Sequence, residues 1–185
     1  EIVDNERFQV PEYEKTAYDV YPRSAVLKPF DFTIYRLTEA SATAAPLSLD
    51  VGGADDLHLV DFHPKERIGG GDLTFRWSQD SSYLLMGVQA GSKELVLRLS
   101  SGRPPGTAPP RVSAYLDGRE IGTAEPTEQF RDYTFPIPGS LASELEQRAT
   151  PPEFRIQSST WTPREVFGGS DDRALGVMVD RAEVR

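Results

Sequence analysis

Residues 111–138, RVSAYLDGREIGTAEPTEQFRDYTFPIP, decide the fold class of this chain. Two runs of alternating apolar residues, Arg111–Leu116 and Glu120–Ala124, flank the dipeptide Asp117-Gly118. Because Asp-Gly readily adopts the positive φ angles of a two-residue turn, this arrangement predicts an antiparallel hairpin. A third run, Arg131–Ile137, follows with its apolar residues on one face, as a half-buried strand requires.

The same pattern extends in both directions from the hairpin. Each further run is short and is bounded by turn residues, and the chain holds 15 Gly and 15 Pro, which favours short strands over long helices. Strands at this spacing predict an all-β fold, an antiparallel β-sandwich or jelly roll. The further runs are Leu47–Val51, Leu57–Phe62, Leu73–Trp77, Tyr83–Val88, Glu94–Leu99, Glu153–Ser158 and Ala174–Val184.

Helices are expected to be short and at most one or two in number. Ser140 is placed to cap a helical turn that carries Leu141 and Leu145 on one face, and Pro151-Pro152 ends it.

Two segments are expected along the chain. Residues 1–45 are polar and contain Pro11, Pro22 and Pro29, which indicates an extended N-terminal arm packing on the domain. Residues 46–185 carry the regular strand pattern and form the sandwich. The chain begins at Glu1 rather than Met, so we expect a fragment whose signal or anchor lies outside it.

Composition excludes several classes of function. The net charge of −9 opposes binding to nucleic acid and to anionic lipid, and no basic stripe compensates for it. The absence of cysteine excludes thiol catalysis, disulfides and cysteine-ligated zinc. No apolar run approaches the roughly 20 residues of a membrane span, so any membrane contact is expected only through segments outside this chain.

The sequence contains no catalytic constellation. His58 and His63 fall on opposite faces of a strand, so they cannot share a metal there. The run Gly69-Gly70-Gly71 precedes a strand, whereas a phosphate-binding loop precedes a helix, and no G-x-S-x-G elbow is present. We therefore expect no catalytic residue in this domain, although the parent protein could still be an enzyme.

The segment SSTWTPRE supplies the candidate ligand site. Trp161 lies where the chain passes from a predicted strand into a loop, close to Arg164 and Glu165. An aromatic ring next to charged groups is suited to sugar binding. The alternative is a tryptophan that covers the edge of the core.

The segment DDR carries a second candidate. Asp171 and Asp172 could ligate a structural calcium, and the alternative is a pair of solvated turn residues. Arg173 is a candidate ligand-binding residue, and it could instead bond loop carboxylates as a structural latch. No other cofactor is expected.

Three segments carry a family resemblance: residues 57–66 with 73–86, residues 111–138, and the end of the chain, TWTPREVFGGSDDRALGVMVDRAEVR. They resemble a β-sandwich module of bacterial membrane proteins of glycosyltransferase-associated or uncharacterised type. More broadly, the chain is similar to galactose-binding-like jelly rolls and carbohydrate-binding modules. The resemblance implies an extracytoplasmic domain that is anchored to the cell membrane in the full-length protein.

Two functional hypotheses follow. The first is a non-catalytic module of an envelope protein that binds glycan or positions a glycosyltransferase. The second is a structural or protein-interaction domain without affinity for carbohydrate, whose partners are other envelope proteins or the rest of its own chain. A glycan binder should present a concave surface with aromatic and polar groups, whereas an interaction domain should present an apolar patch or an open strand edge.

Overall fold

A computed structural model of the chain describes residues 45–68, 72–148 and 150–185, and the backbone of two short strands before them. The chain divides into two units, Glu1–Thr43 and Ala44–Arg185. In the first unit, β1 (Ile2–Asp4) pairs antiparallel with β2 (Ile34–Tyr35). The rest of the expected arm, apart from Ala45, and the run Gly69–Gly71 lie outside the described residues.

The second unit is built of antiparallel strands joined into one continuous sheet that closes into a two-layered sandwich. This architecture confirms the predicted fold class. Its strands are β3 (Ser48–Asp50), β4 (Leu59–Phe62), β5 (Glu66–Arg67), β6 (Thr74–Leu85), β7 (Glu94–Ser100), β8 (Val112–Leu116), β9 (Arg119–Ala124), β10 (Arg131–Pro136), β11 (Glu153–Ser158) and β12 (Met178–Val184).

Strand β6 belongs to both layers. Its first half pairs with β12 in the layer β10-β7-β12, and its second half pairs with β11 in the layer β11-β8-β9. The sequence predicted two separate strands here, Leu73–Trp77 and Tyr83–Val88. That prediction was wrong: Ser78 and Ser82 are buried where the strand passes between layers, and the Ser82 hydroxyl donates to the carbonyl of Asp61.

One apolar cluster fills the space between the layers. The predicted inward faces are confirmed: Leu95, Leu97 and Leu99 of β7 are buried, as are Phe135 of β10 and Ile137. Strand β12 lies between β7 and the pair β3 and β6, so it is a central strand of its layer. Phe154 and Ile156 of β11 complete the cluster from the opposite layer.

The hairpin turn follows its local signal, and the first helix follows its signal in part. Asp117 and Gly118 both have positive φ, 49° and 78°, and they join β8 to β9 as the Asp-Gly pair predicted. The first helix, α1 (Gly139–Glu146), buries Leu141 and Leu145, but it begins after Pro138, so Ser140 is not its N-cap. The second, α2 (Pro163–Phe167), starts with proline. No helix among the described residues is long and apolar enough to cross a bilayer.

Candidate functional site

The connections between strands collect at one end of the sandwich. Strands β7 and β11 end at Ser100 and Ser158, and β12 and β8 begin beside them, because Ser100 pairs with Met178 and Ser158 with Val112. We call the surface formed by residues 101–111, 125–130 and 159–177 the loop end. Loops that a rigid scaffold holds together in this way are a common place for ligand sites.

A cavity of about 410 Å³ opens at the loop end between residues 101–110 and residues 125–128. Prolines and polar residues make up its lining, and we call it the proline-walled pocket. Its lining consists of Ser101, Arg103, Pro104, Pro105, Gly106, Thr107, Pro109, Pro110, Glu125, Pro126, Thr127 and Glu128.

Hydrogen bonds hold the two walls of the pocket together. The backbone N–H of Ser101 donates to the carbonyl of Thr127 at 2.8 Å. The hydroxyl of Ser100 donates to the carbonyl of Glu128 at 2.7 Å. The backbone N–H of Thr127 in turn donates to the Tyr133 hydroxyl at 2.9 Å. The opening between the walls is therefore a built feature of the fold.

Arg103 joins the pocket to the neighbouring β11–β12 connection. Its Nη1 donates to the carbonyl of Ala108 at 3.0 Å, and its Nη2 donates to the hydroxyl of Ser159 at 3.0 Å and to the Ser159 carbonyl. Burial lowers the pKa of Arg103 from its usual value. Its Nε is buried and has no acceptor within the described chain. The guanidinium thus acts mainly as a brace behind the pocket.

Glu125 and Glu128 are the acidic residues of the pocket. Both are exposed, and neither carboxylate bonds another side chain within the described residues. These two carboxylates are therefore available to a ligand.

A file of aromatic rings lies next to the pocket. Edge-to-face contacts join Phe75 to Trp77, Trp77 to Trp161 and Trp161 to Phe167, with ring centroids 5.9–6.0 Å apart. Such geometry stabilises ring pairs beyond their buried area. Gly102, between the lining residues Ser101 and Arg103, has φ +55°, and a Cβ there would run into the Trp77 indole.

Trp161 is half-buried and contributes to this file. Its backbone N–H and carbonyl both bond Leu175 at 2.9 Å, which fixes the indole against Trp77. Its Nε1 is buried without an acceptor within the described chain. The ring that faces solvent is Phe167, at 70% exposure. Sequence reasoning missed Phe167, which directly precedes Gly168-Gly169 and so stands at a visible loop tip.

Arg164 and Glu165 lie on α2, on the exposed side of the loop end. The carbonyl of Arg164 accepts from the Gly168 N–H at 3.0 Å, and its own N–H donates to the carbonyl of Asp171 at 2.8 Å. These backbone bonds position α2 and leave both charged side chains in solvent.

Arg173 is held between two carboxylates. Its Nε and Nη2 donate to the two oxygens of Asp171 at 2.9 and 2.8 Å, and its Nη1 donates to Glu66 at 2.7 Å. The Arg173 guanidinium lowers the pKa of Asp171 to about 2, and the two acids raise the pKa of Arg173. His63 lies nearby, where its Nε2 donates to the carbonyl of Ala174 at 2.9 Å. Arg173 therefore has the bonding pattern of a latch between the β11–β12 connection and β5.

The predicted calcium ligands have different surroundings. Asp172 is exposed, whereas both oxygens of Asp171 accept hydrogen bonds from Arg173. Across residues 45–68, 72–148 and 150–185, no three acidic or histidine side chains are grouped closely enough to hold a metal. The calcium site at Asp171 and Asp172 stays a prediction.

The sequence-predicted site residues thus share one connection between strands, and none of them lines the proline-walled pocket. Trp161 packs on the aromatic file, Arg164 and Glu165 are on α2, and Arg173 and Asp171 form the latch. A signal for the pocket was present in the sequence: residues 102–110 and Glu125–Glu128 are rich in proline and polar residues, but on their own they predict only loops.

Comparisons with known proteins give no family. No family model matches the chain, and no curated protein matches it. Among solved structures, the chain is similar to the C-terminal CBM6 of LamC, a marine laminarinase from Zobellia galactanivorans, at 14% identity and TM-score 0.42, over 75% of this chain and 97% of that one. It is also similar to a family 35 carbohydrate binding module from an environmental isolate, at 16% identity and TM-score 0.39. This similarity covers 68% of this chain and 87% of that module. Similarity at this level assigns no ligand and no site residue to this chain.

Proposed function

We propose that this domain is a non-catalytic glycan-binding module and that the proline-walled pocket is its ligand site. The observation that carries the proposal is the cavity of about 410 Å³ at the loop end. Its volume lies within the range of small-molecule sites in proteins.

The pocket combines the two kinds of surface that sugar binding requires. The rings of the three lining prolines that are not buried offer apolar C–H surface to the flat face of a pyranose: Pro104, Pro105 and Pro109. Glu125 and Glu128 offer acceptors to its hydroxyl groups. Because proline restricts φ, the walls are already ordered before the ligand arrives, and less conformational entropy is lost on binding.

The carboxylates of the pocket are better suited to binding a glycan than to cleaving one. A glycosidase needs a general acid whose proton is retained by an apolar enclosure, and a second carboxylate across the scissile bond. Glu125 and Glu128 are both exposed and have no such enclosure. His63 already bonds the carbonyl of Ala174.

One observation favours the alternative, a protein-interaction domain. Within the described residues β4 pairs only with β6, so its outer edge is open, and Val60 on β4 and Leu57 just before it are exposed. An open edge with apolar side chains can accept a strand from a partner. Val166 and Phe167 of α2 form a second exposed apolar pair.

We further propose that the domain acts outside the cytoplasm, in a membrane-anchored envelope protein in which it binds glycan or positions a glycosyltransferase. Support comes from the resemblance of residues 57–185 to modules of bacterial membrane proteins. The full-length gene tests this context: a flanking membrane span or glycosyltransferase domain supports it, and a gene that encodes neither contradicts it.

The test of function is glycan-array binding by four proteins: the wild type, Thr127→Trp, Phe167→Ala and Thr123→Trp. Thr127 is exposed on the pocket wall, so an indole there fills the cavity, whereas Thr123 is exposed on β9 outside the pocket and serves as the matched control. We expect the wild type and the Thr123→Trp variant to bind the same glycans.

The variants also separate the candidate surfaces. Loss of binding in Thr127→Trp assigns the pocket, and loss only in Phe167→Ala moves the site to the exposed ring and contradicts our assignment. If the wild type binds no glycan on the array, the glycan-binding function is wrong and the interaction domain is the remaining hypothesis.

A further inference from the structure

The hydrogen-bonding character of the proline-walled pocket is unbalanced. Five of its twelve lining residues are prolines, which have no backbone N–H to donate. Several of the remaining donors are already used. The backbone N–H of Ser101 donates to the carbonyl of Thr127, and the backbone N–H of Thr127 donates to the hydroxyl of Tyr133. The hydroxyl of Thr107 donates to the carbonyl of Pro104 at 2.7 Å. The pocket is thus rich in acceptors and poor in donors.

The charge of the pocket has the same bias. Arg103 is the cationic residue of the lining, and its Nη1 and Nη2 donate to Ala108 and Ser159 at the back of the wall. Glu125 and Glu128 have no such partners within the described chain, and the whole chain carries a net charge of −9. Among the described lining residues, a ligand therefore meets two unpaired carboxylates and one cation, Arg103, of which only Nε lacks an acceptor.

This combination selects among glycans by their own charge. Uronates and sulfated sugars bring negative charge, which Glu125 and Glu128 repel and which Arg103 offsets only in part, because its Nη1 and Nη2 are already bonded to the protein. A protonated amino sugar brings three N–H donors and a positive charge, and its bonds to carboxylates are charge-assisted.

We propose that the pocket prefers glycans with free amino groups, of the glucosamine type, over neutral glycans, and that it rejects anionic glycans. This proposal rests on the proposed glycan-binding function. It adds the class of ligand, and it assigns Glu125 and Glu128 as the residues that determine specificity.

The test compares oligosaccharides that share one backbone. Glucosamine oligomers and their N-acetylated counterparts differ only in the charge and acetylation of the amine, and an oligouronate serves as the anionic probe. Titration calorimetry at low ionic strength, at a mildly acidic pH that protonates the amine, should show about tenfold tighter binding of the glucosamine oligomer. Two solvent-screened carboxylates at up to about fivefold each can supply that ratio. Binding of the oligouronate should be undetectable.

Substitutions that remove charge identify the residues responsible. In the double variant Glu125→Gln with Glu128→Gln, the preference should fall to about twofold or less, because both side chains remain hydrogen-bonding but lose their charge. Glu120→Gln removes a carboxylate from an exposed position on β9 outside the pocket and should keep the preference. Added salt should reduce the wild-type preference, since the charges are exposed.

Each other result contradicts a stated part of the proposal. Equal affinity for the two oligomers, or measurable binding of the oligouronate, overturns the preference while the glycan-binding function stands. A preference that survives in the double variant removes Glu125 and Glu128 from the site. Binding of the glucosamine oligomer that survives in Thr127→Trp shows non-specific attraction to an acidic protein. Failure of every oligosaccharide to bind overturns this proposal, and an empty glycan array would overturn the proposed function with it.

Discussion

Replacement of Gly176 by alanine should destabilise the sandwich more than a single methyl group suggests. Gly176 directly precedes Val177, where the last connection enters β12 against β6. A Cβ at this position would lie 2.7 Å from the carbonyl oxygen of Gln79, and closer still to the hydroxyl oxygens of Ser78 and Ser158. Both serines are buried, and the Ser78 hydroxyl accepts the N–H of Val177 at 3.0 Å.

The magnitude follows from these contacts. Overpacking of a tight interior costs about 1–3 kcal/mol. Displacing the Ser78 hydroxyl from the Val177 N–H leaves a buried donor unpaired, at about 1–3 kcal/mol. The lower entropy of the unfolded chain offsets about 0.4–1 kcal/mol of this loss. We therefore expect a decrease of about 2–4 kcal/mol in the free energy of unfolding, or roughly 6–12 °C in Tm for a domain of this size.

Urea unfolding followed by tryptophan fluorescence measures the effect, because Trp77 and Trp161 both lie next to this connection. Gly91→Ala is the matched control, since nothing lies within 4 Å of a Cβ there and φ is not positive. Ser158→Ala in the Gly176→Ala background should recover part of the loss, because it removes one of the clashing oxygens. A loss below about 0.5 kcal/mol for Gly176→Ala, equal to the control, would refute the reasoning.

Three further predictions concern other parts of the domain. Phe154→Ala should lower the free energy of unfolding by about 3–5 kcal/mol, because Phe154 is fully buried on β11, between β6 and β8. Denaturant titrations followed by circular dichroism measure this change, and an effect near about 1 kcal/mol would contradict that packing. Phe167→Ala should lower the same quantity by only about 0.5–1.5 kcal/mol, since its ring is mostly exposed and its edge-to-face contact with Trp161 is what is lost, and a loss of about 3 kcal/mol would mean that the ring is a core residue. Arg173→Met should reduce the pH dependence of stability in acid. The folded pKa of Asp171, about 2, lies below its ordinary value of 3.8, so its ion pair contributes above about pH 4 and the contribution is lost as the pH falls through 2. Wild type and variant should therefore converge in thermal melts at the acidic end, and a constant difference across that window would contradict the role of Asp171.

Local patterns predicted much of the fold. The alternation of Leu95, Leu97 and Leu99 identified a buried face, because successive side chains of a strand point to opposite sides of a sheet. The pair Asp117-Gly118 identified its hairpin for a similar reason, since the φ angles of the turn depend on those two residues alone. The pattern failed between Trp77 and Tyr83, where the buried hydroxyl groups of Ser78 and Ser82 stand within a strand and hydrogen-bond to neighbouring segments.

Such local patterns could not predict the site. Trp161 attracted attention because it is a tryptophan in a loop, yet its ring is packed against Trp77, more than 80 residues earlier in the chain. Arg173 was correctly described as able to reach loop carboxylates, but its partner Glu66 could not be identified from the sequence. Residues 102–110 and 125–128 predicted only loops, because a pocket exists only where two loops face each other.

By itself, then, the sequence determined the all-β class, the inward faces of the strands, the hairpin and the lack of cysteine chemistry, because each of these depends on residue type and local spacing. Only the tertiary structure decided that β6 serves both layers, that Phe167 and not Trp161 is the exposed ring, and that Glu125 and Glu128 face a proline-lined opening. These features arise from contacts between residues far apart in the chain, and the strand order brings those residues together. No local sequence pattern indicates which loops the strand order will bring next to one another.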